Sequence, residues 1–230
     1  FEPDIEIFKE IKFDWDRILT HLRQQAYLTK GVRITIQDER NPIVFTEFPS
    51  HTFYFEGGLV SYIEFLNRGL EPKNKNIFYV GKEHQNIFVE VALQYIDELH
   101  SQEMSFANNI HTHEGGMHLT GFRSAITRAL NDYARKNGYL KEKDDNLSGE
   151  DIREGLTTVI SVKLKDPQFE GQTKAKLGTP DARTAVETVM GNRETRRRAC
   201  GWTIQKVTHV VHVVPVLVDH RHPRAARSTA

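Results

Sequence analysis

Two stretches of this chain change sides every second residue, and a helix pattern lies between them. Ile87, Val89, Val91, Leu93 and Tyr95 share one side of a segment whose other side carries Glu90 and Gln94 beside Phe88 and Ala92. Thr158, Ile160, Val162 and Leu164 share one side of residues 157–164. Period two marks strands. Phe122, Ile126, Ala129, Leu130 and Tyr133 recur instead at helical spacing, with Thr120 as the expected cap. Strand, helix and strand in that order restrict the chain to an α/β or α+β fold.

Weaker patterns fill in the rest. Residues 14–29 read as a helix with Trp15, Ile18, Leu19, Leu22 and Ala26 on one face, capped by Asp14 and followed by Gly31. Val32, Ile34 and Ile36 predict a half-buried strand, and residues 52–55 a short aromatic strand before Gly57 and Gly58. Leu59, Tyr62, Ile63 and Leu66 form a helical stripe that ends by Gly69. Residues 77–80 and 104–108 are further strand candidates, and Ser148 with Asp151 is a capping-box pattern opening a short helix. No repeat of 20–50 residues is present.

Composition matters chiefly through its unevenness. The 230 residues suit one large or two small domains. The 31 Lys and Arg balance 31 Asp and Glu, which excludes a polybasic nucleic-acid binder but not local basic patches. From Arg193 onward eight basic residues face only Glu194 and Asp219, a surplus of +6, so residues 1–192 carry −6. That shift predicts a boundary near Gly191. The lone Cys200 excludes a disulfide framework or a cysteine-rich zinc module. Apolar runs fall far short of about 18 residues, so no membrane span is expected. The start, Phe1-Glu-Pro-Asp4, reads as a cut from a longer protein.

Four groups carry possible chemistry. His111, His113, Glu114 and His118 fall within eight residues, but their spacing matches no standard zinc pattern, and a turn before the helix explains them better. Gly171-Gln-Thr-Lys174 places a lysine in a loop, where it can reach an anionic oxygen with Gln172 adding a directed bond; on pattern alone a solvated loop explains it better. Arg123, Arg128, Arg135 and Lys136, against Asp132, make one side of the central helix basic, as phosphate contact or an ordinary wet face requires. Cys200 has no partner motif that would activate it. Phe53, Tyr54 and Phe55 fit a core better than base stacking.

An ordered set of segments resembles the B-type subunits of the type IIA topoisomerases, DNA gyrase B above all. The set runs Leu22-Arg-Gln-Gln-Ala-Tyr-Leu28, Gly31-Val-Arg-Ile34, Phe55-Glu-Gly-Gly58, Asn108-Asn-Ile110 and Glu114-Gly-Gly116 with His118. It continues with Gly121-Phe-Arg123, Arg153-Glu-Gly-Leu156, Ser161-Val-Lys163, Asp166-Pro-Gln-Phe169 and Gln172-Thr-Lys174. Order and spacing fit over residues 1–191. The B-type component of topoisomerase IV shares this region, and Glu114-Gly-Gly116 with Gly121-Phe-Arg123 favours gyrase. A nucleotide-independent nucleic-acid-binding module of the same fold is the alternative from a different class.

The resemblance implies an α+β fold in two parts. Residues 1–48 would end a GHKL ATPase domain. Residues 49–191 would be the transducer domain, a ribosomal-protein-like fold with a left-handed β-α-β crossover, an exception to the usual hand. Residues 192–230 depart from the family and are expected to be an atypical basic tail, disordered or out of frame. The implied protein is a cytoplasmic enzyme that couples ATP and Mg²⁺ to DNA strand passage and negative supercoiling. Its partners would be double-stranded DNA, gyrase A and a second copy of gyrase B. Lys174 would be catalytic and, with Gln172, would bind the nucleotide; Arg123 and Arg128 would meet DNA. The remaining nucleotide and metal ligands would lie upstream, so the piece alone is expected neither to hydrolyse ATP nor to cleave DNA.

Overall fold

The structure is a computed structural model; it describes residues 3–38, 50–196, 198 and 199. Residues 39–49, and Cys200 with the rest of the tail, lie outside the described residues. The chain divides into two compact units, Phe1–Tyr62 and Ile63–Ala230.

In the first unit, helix α1 (Trp15–Leu28) starts where Asp14 Oδ1 accepts the Arg17 amide at 3.1 Å, which satisfies one of the free donors of the first turn. Its apolar stripe deepens along the helix until Ala26, Tyr27 and Leu28 are buried. Strands β1 (Ile34–Gln37) and β2 (Ser50–Phe53) pair antiparallel, Ile34 opposite Phe53. The aromatic strand therefore sits two residues earlier than expected. The ladder ends at Phe53, and Phe55 leaves it to stack on Tyr27 at 3.8 Å, keeping one bond from the Gly31 amide. Tyr27 also stacks on Tyr62 at 4.7 Å. Helix α2 (Leu59–Leu66) follows.

The second unit is a five-stranded mixed sheet covered by helices. Strand β3 (Phe78–His84) is longer than the expected 77–80: Gly81 to His84 each pair with β4 (Ile87–Tyr95) as well. Gln85 and Asn86 both take positive φ, as a tight hairpin turn with the strand's own twist requires. Strands β5 (Gln102–Ala107) and β6 (Ile110–His111) repeat the device with Asn108 and Asn109. The chain then forms α3 (Met117–Lys136) and α4 (Gly149–Arg153) before β7 (Leu156–Lys163) inserts between β4 and β5. The order is β3-β4-β7-β5-β6; β7 runs antiparallel to β4 and parallel to β5. Asn108 pins the parallel register by accepting from Leu164 N at 2.9 Å and donating to Leu164 O at 2.8 Å.

A short hairpin, β8 (Phe169–Glu170) and β9 (Lys176–Leu177), leads into α5 (Pro180–Gly191). One core joins the inward residues of β3, β4 and β7 to α3 and α5, with Phe122 and Ile160 fully buried. Burial of a side chain the size of Phe122 contributes about 2–3 kcal/mol. Seven of the eight β7 residues are buried, so the period-two pattern there reflects two covered faces rather than one wet one.

One more expectation changes. Helix α3 begins at Met117, three residues before Thr120, because Gly116 at φ 139 reverses the chain and lets His118 and Leu119 enter the core. Thr120 lies inside the first turn, its hydroxyl donating to Gly116 O at 3.1 Å. Beyond Asn192, residues 193–196, 198 and 199 are helical, and Ala199 joins the core. The Ser148–Asp151 capping box forms as its spacing predicts. Among the described residues no helix is long and apolar enough to cross a membrane.

Candidate functional site

Lys174 sits at the tip of the β8–β9 hairpin, where Phe169 opposes Leu177 and Glu170 opposes Lys176. Gly171 (φ 73) and Lys174 (φ 55) both take left-handed backbone. For a lysine this costs about 1 kcal/mol and persists only where the surroundings over-determine the chain. Here the surroundings are the turn that starts α3. Glu114 N donates to Ala175 O at 3.0 Å, and Leu177 N donates to Gly115 O at 3.1 Å. A Cβ on Gly116 would collide with the Leu177 backbone, so only glycine lets the two chains meet. Ala175 and Leu177 are buried, while Gln172, Thr173 and Lys174 are exposed. The tip is thus in water and its base is bolted to the core. Lys174 Nζ lies 5.9 Å from the Phe169 ring centroid and makes no ion pair among the described residues. That ammonium is a positioned point charge able to meet an anion, with the Gln172 amide beside it.

The basic side of α3 opens onto a groove of about 520 Å³ shared with α4 and the segment between them. Its four arginines are in different states. Arg123 Nε lies 3.2 and 3.1 Å from the two Glu103 carboxylate oxygens, and Nη2 donates as well. Glu103, on β5, is only 9% exposed at its side chain, against 45% for Arg123. The bonds to Glu103 raise the guanidinium pKa further. Arg135 ties down the segment after α3 through Lys141 O (2.9 Å), Asp144 O (2.8 Å) and Asn146 Oδ1. Arg128 and Arg153 make no hydrogen bond or ion pair among the described residues. Lys136 lies apart, in a hollow with Tyr133 and Asn192. Asp132 pairs with Arg196. Helical spacing on α3 does not reveal Arg153 as a groove residue, because it lies on another helix. Its only signal in the sequence is its place in the Arg153-Glu-Gly-Leu156 motif.

The three imidazoles of the 111–118 segment separate. His111 stays on β6 against Phe106, and His113 faces solvent next to Glu114. His118 is completely buried, its Nε2 3.2 Å from Thr112 Oγ1, which in turn bonds Ser105. Burial pushes the His118 pKa down to about 4, so the ring is neutral. Burial, then the neighbouring His113, lowers that of His111. Phe53 is buried, Phe55 is half-buried and stacked, and Tyr54 is exposed beneath Arg33.

The mixed sheet and its covering helices form a fold shared with solved topoisomerase structures. The 43K ATPase domain of Thermus thermophilus gyrase B superposes with a TM-score of 0.77 at 34% identity, covering 96% of this chain and 59% of that one. The topoisomerase IV ATP-binding domain of Francisella tularensis gives 0.72 at 25% identity, covering 95% and 57%. Sequence narrows the class. The DNA gyrase B family matches residues 58–196, and the DNA gyrase B protein of Clostridium acetobutylicum is 52% identical over 194 residues, 84% of this chain. The Bacillus mycoides gyrase B is 48% identical over 190 residues, 82% of this chain. The chain belongs to the DNA gyrase B family. It spans 30% of the length of the Clostridium relative and 46% of the Bacillus one.

Proposed function

We propose that this chain is the part of a gyrase B protein that senses the nucleotide and faces the transported DNA. The parent protein would be a cytoplasmic ATP-dependent type IIA topoisomerase that introduces negative supercoils, working with gyrase A and a second copy of itself. Residues 1–48 would close the GHKL ATPase domain and residues 49–191 form the transducer. In it β5, α3 and β7 would make the left-handed crossover. Residues 192–230 would stand outside that pattern.

The observation that carries this reading is Lys174: an exposed cation at a left-handed tip whose base is fixed to the start of α3. A terminal phosphate of ATP fits that donor set, since Lys174 and Gln172 offer exposed donors there. Lys174 would hold the phosphate and stabilise charge that develops on it; Gln172 would orient it. ATP supplies the transferable phosphoryl group when bound. Mg²⁺ would take its ligands elsewhere in the parent protein, bound by one or two side-chain oxygens together with the phosphates. Loss of the phosphate would release the loop, a switch of the ordered-segment type. Arg123 and Arg128 would meet duplex phosphates without regard to sequence.

The test is Lys174→Ala in the full-length parent. ATP turnover should fall about 100-fold, the scale of losing one charge-stabilising donor. Unchanged turnover would sink the assignment of Lys174 to the nucleotide and favour a role for this region in nucleic-acid binding alone.

A further inference from the structure

We infer that Arg153 is a DNA-contacting residue, and that Arg153 and Arg128 rather than Arg123 supply the net charge that the groove offers to a duplex. The inference rests on the proposed DNA-facing role of α3 and adds a residue and a division of labour to it.

Three observations carry it. First, the charge of Arg123 is already matched by Glu103, whose carboxylate is nearly buried and so cannot be left alone cheaply. Its bonds use Nε and Nη2, which leaves Nη1 as a positioned donor but little net charge. Second, Arg135 spends its donors on Lys141, Asp144 and Asn146. Third, Arg153 reaches the groove although it belongs to α4. Its guanidinium folds back over Gly149 towards α3: a Cβ on Gly149 would stand 2.8 Å from Arg153 Nη1 and 3.6 Å from Thr127 Oγ1. Glycine at the first position of α4 leaves room for that path. Arg128 and Arg153 therefore flank the groove from two helices, both without partners among the described residues.

Counterion release separates the two kinds of arginine. Each phosphate neutralised by net charge adds about 0.9 to the slope of log affinity against log salt on B-DNA. An arginine already paired with a carboxylate adds less. Fluorescence anisotropy of a labelled duplex of about 20 base pairs, titrated with the 230-residue chain from low to moderate NaCl, reads this slope. Two duplexes of unrelated sequence should give the same value. Arg153→Gln should lower the slope by about 0.9 and Arg128→Gln by the same; the double variant should lose about 1.8. Arg153→Lys should keep the slope. Arg123→Gln should weaken binding at fixed salt with a smaller change of slope. The basic residues after 192 add a constant to every variant and cancel in the differences.

A slope unmoved by Arg153→Gln overturns the inference, as does a full loss in Arg123→Gln alone. Absence of duplex binding by the unaltered chain at low salt, or capture of an acidic protein segment in place of DNA, overturns it too. None of these outcomes bears on ATP turnover in the Lys174 variant, so the nucleotide reading stands or falls separately.

Discussion

The Lys174 hairpin and the outer face of α3 both hold cations in solvent, but the hairpin fixes its cation through the backbone and the helix through side chains. At the hairpin, the ammonium faces a ring at 5.9 Å and no carboxylate among the described residues. Position comes from the two backbone hydrogen bonds that join 114–116 to 175–177. On α3 the backbone is an ordinary helix, and what distinguishes Arg123 from Arg128 is whether a carboxylate stands opposite. On the proposed reading, backbone anchoring suits a cation that would meet one small anion at a fixed place. Side-chain pairing would suit a surface that meets duplexes of any sequence, because it tunes charge without touching shape.

Substitutions can break this contrast. The largest effect is expected at the hairpin base. Gly116→Ala puts a Cβ into the Leu177 backbone and strains a positive φ, so denaturant unfolding should show a loss of about 3 kcal/mol or more. A loss under about 1 kcal/mol would mean that the backbone junction is not what fixes the loop. The next effect is at the buried ring joining that turn to α3. The folded protein holds His118 neutral with a pKa of about 4, whereas the unfolded chain binds a proton at about 6.5. The stability it contributes is therefore complete above pH 6.5 and is lost as pH falls towards 4, by about 2 kcal/mol at pH 5. His111 acts in the same direction. Stability curves at neutral pH and at about pH 5 should show this difference in the unaltered chain and much less of it in His118→Gln.

Smaller still is the effect of freeing the paired arginine. Glu103→Gln should cost about 1 kcal/mol, since Arg123 is half in solvent, yet it should raise the salt slope of duplex binding towards the value an unpaired arginine gives. A slope that fell instead would show that Glu103 positions Arg123 more than it masks it. Last, Lys174→Met should change unfolding free energy by less than about 0.5 kcal/mol, because the side chain is exposed and lies near one ring face only. A stability loss well above that would make Lys174 a structural residue.

Much of the architecture is legible in hydrophobic period alone. Strands β4 and β7, helix α3 and the Ser148 capping box follow from patterns long enough to exclude other readings. What escapes has physical reasons. The start of α3 is hidden because two glycines erase the local signal, and the true start is set by a backbone contact with Leu177, far along the chain. The polar half of β3 is held by its ladder to β4 rather than by its own composition. Strands β6, β8 and β9 have two residues each, too few for any period. Lys174 and the basic side of α3 stand out as candidates. The states of the arginines do not, because Glu103 lies 20 positions before Arg123 and Arg153 reaches the groove from a different helix.

The central place of β7 also governs how the chain can be made. Strands β4 and β5 leave the ribosome well before their shared neighbour, and until residues 156–163 appear each presents a bare edge. Closing those long intervals makes β7 a slow, late step. A nascent chain stopped just short of β7 would hold all the residues of α3 but have no completed sheet to pack it on. Such a truncated product is expected to be captured by chaperones or proteases, and a few more codons would decide its fate.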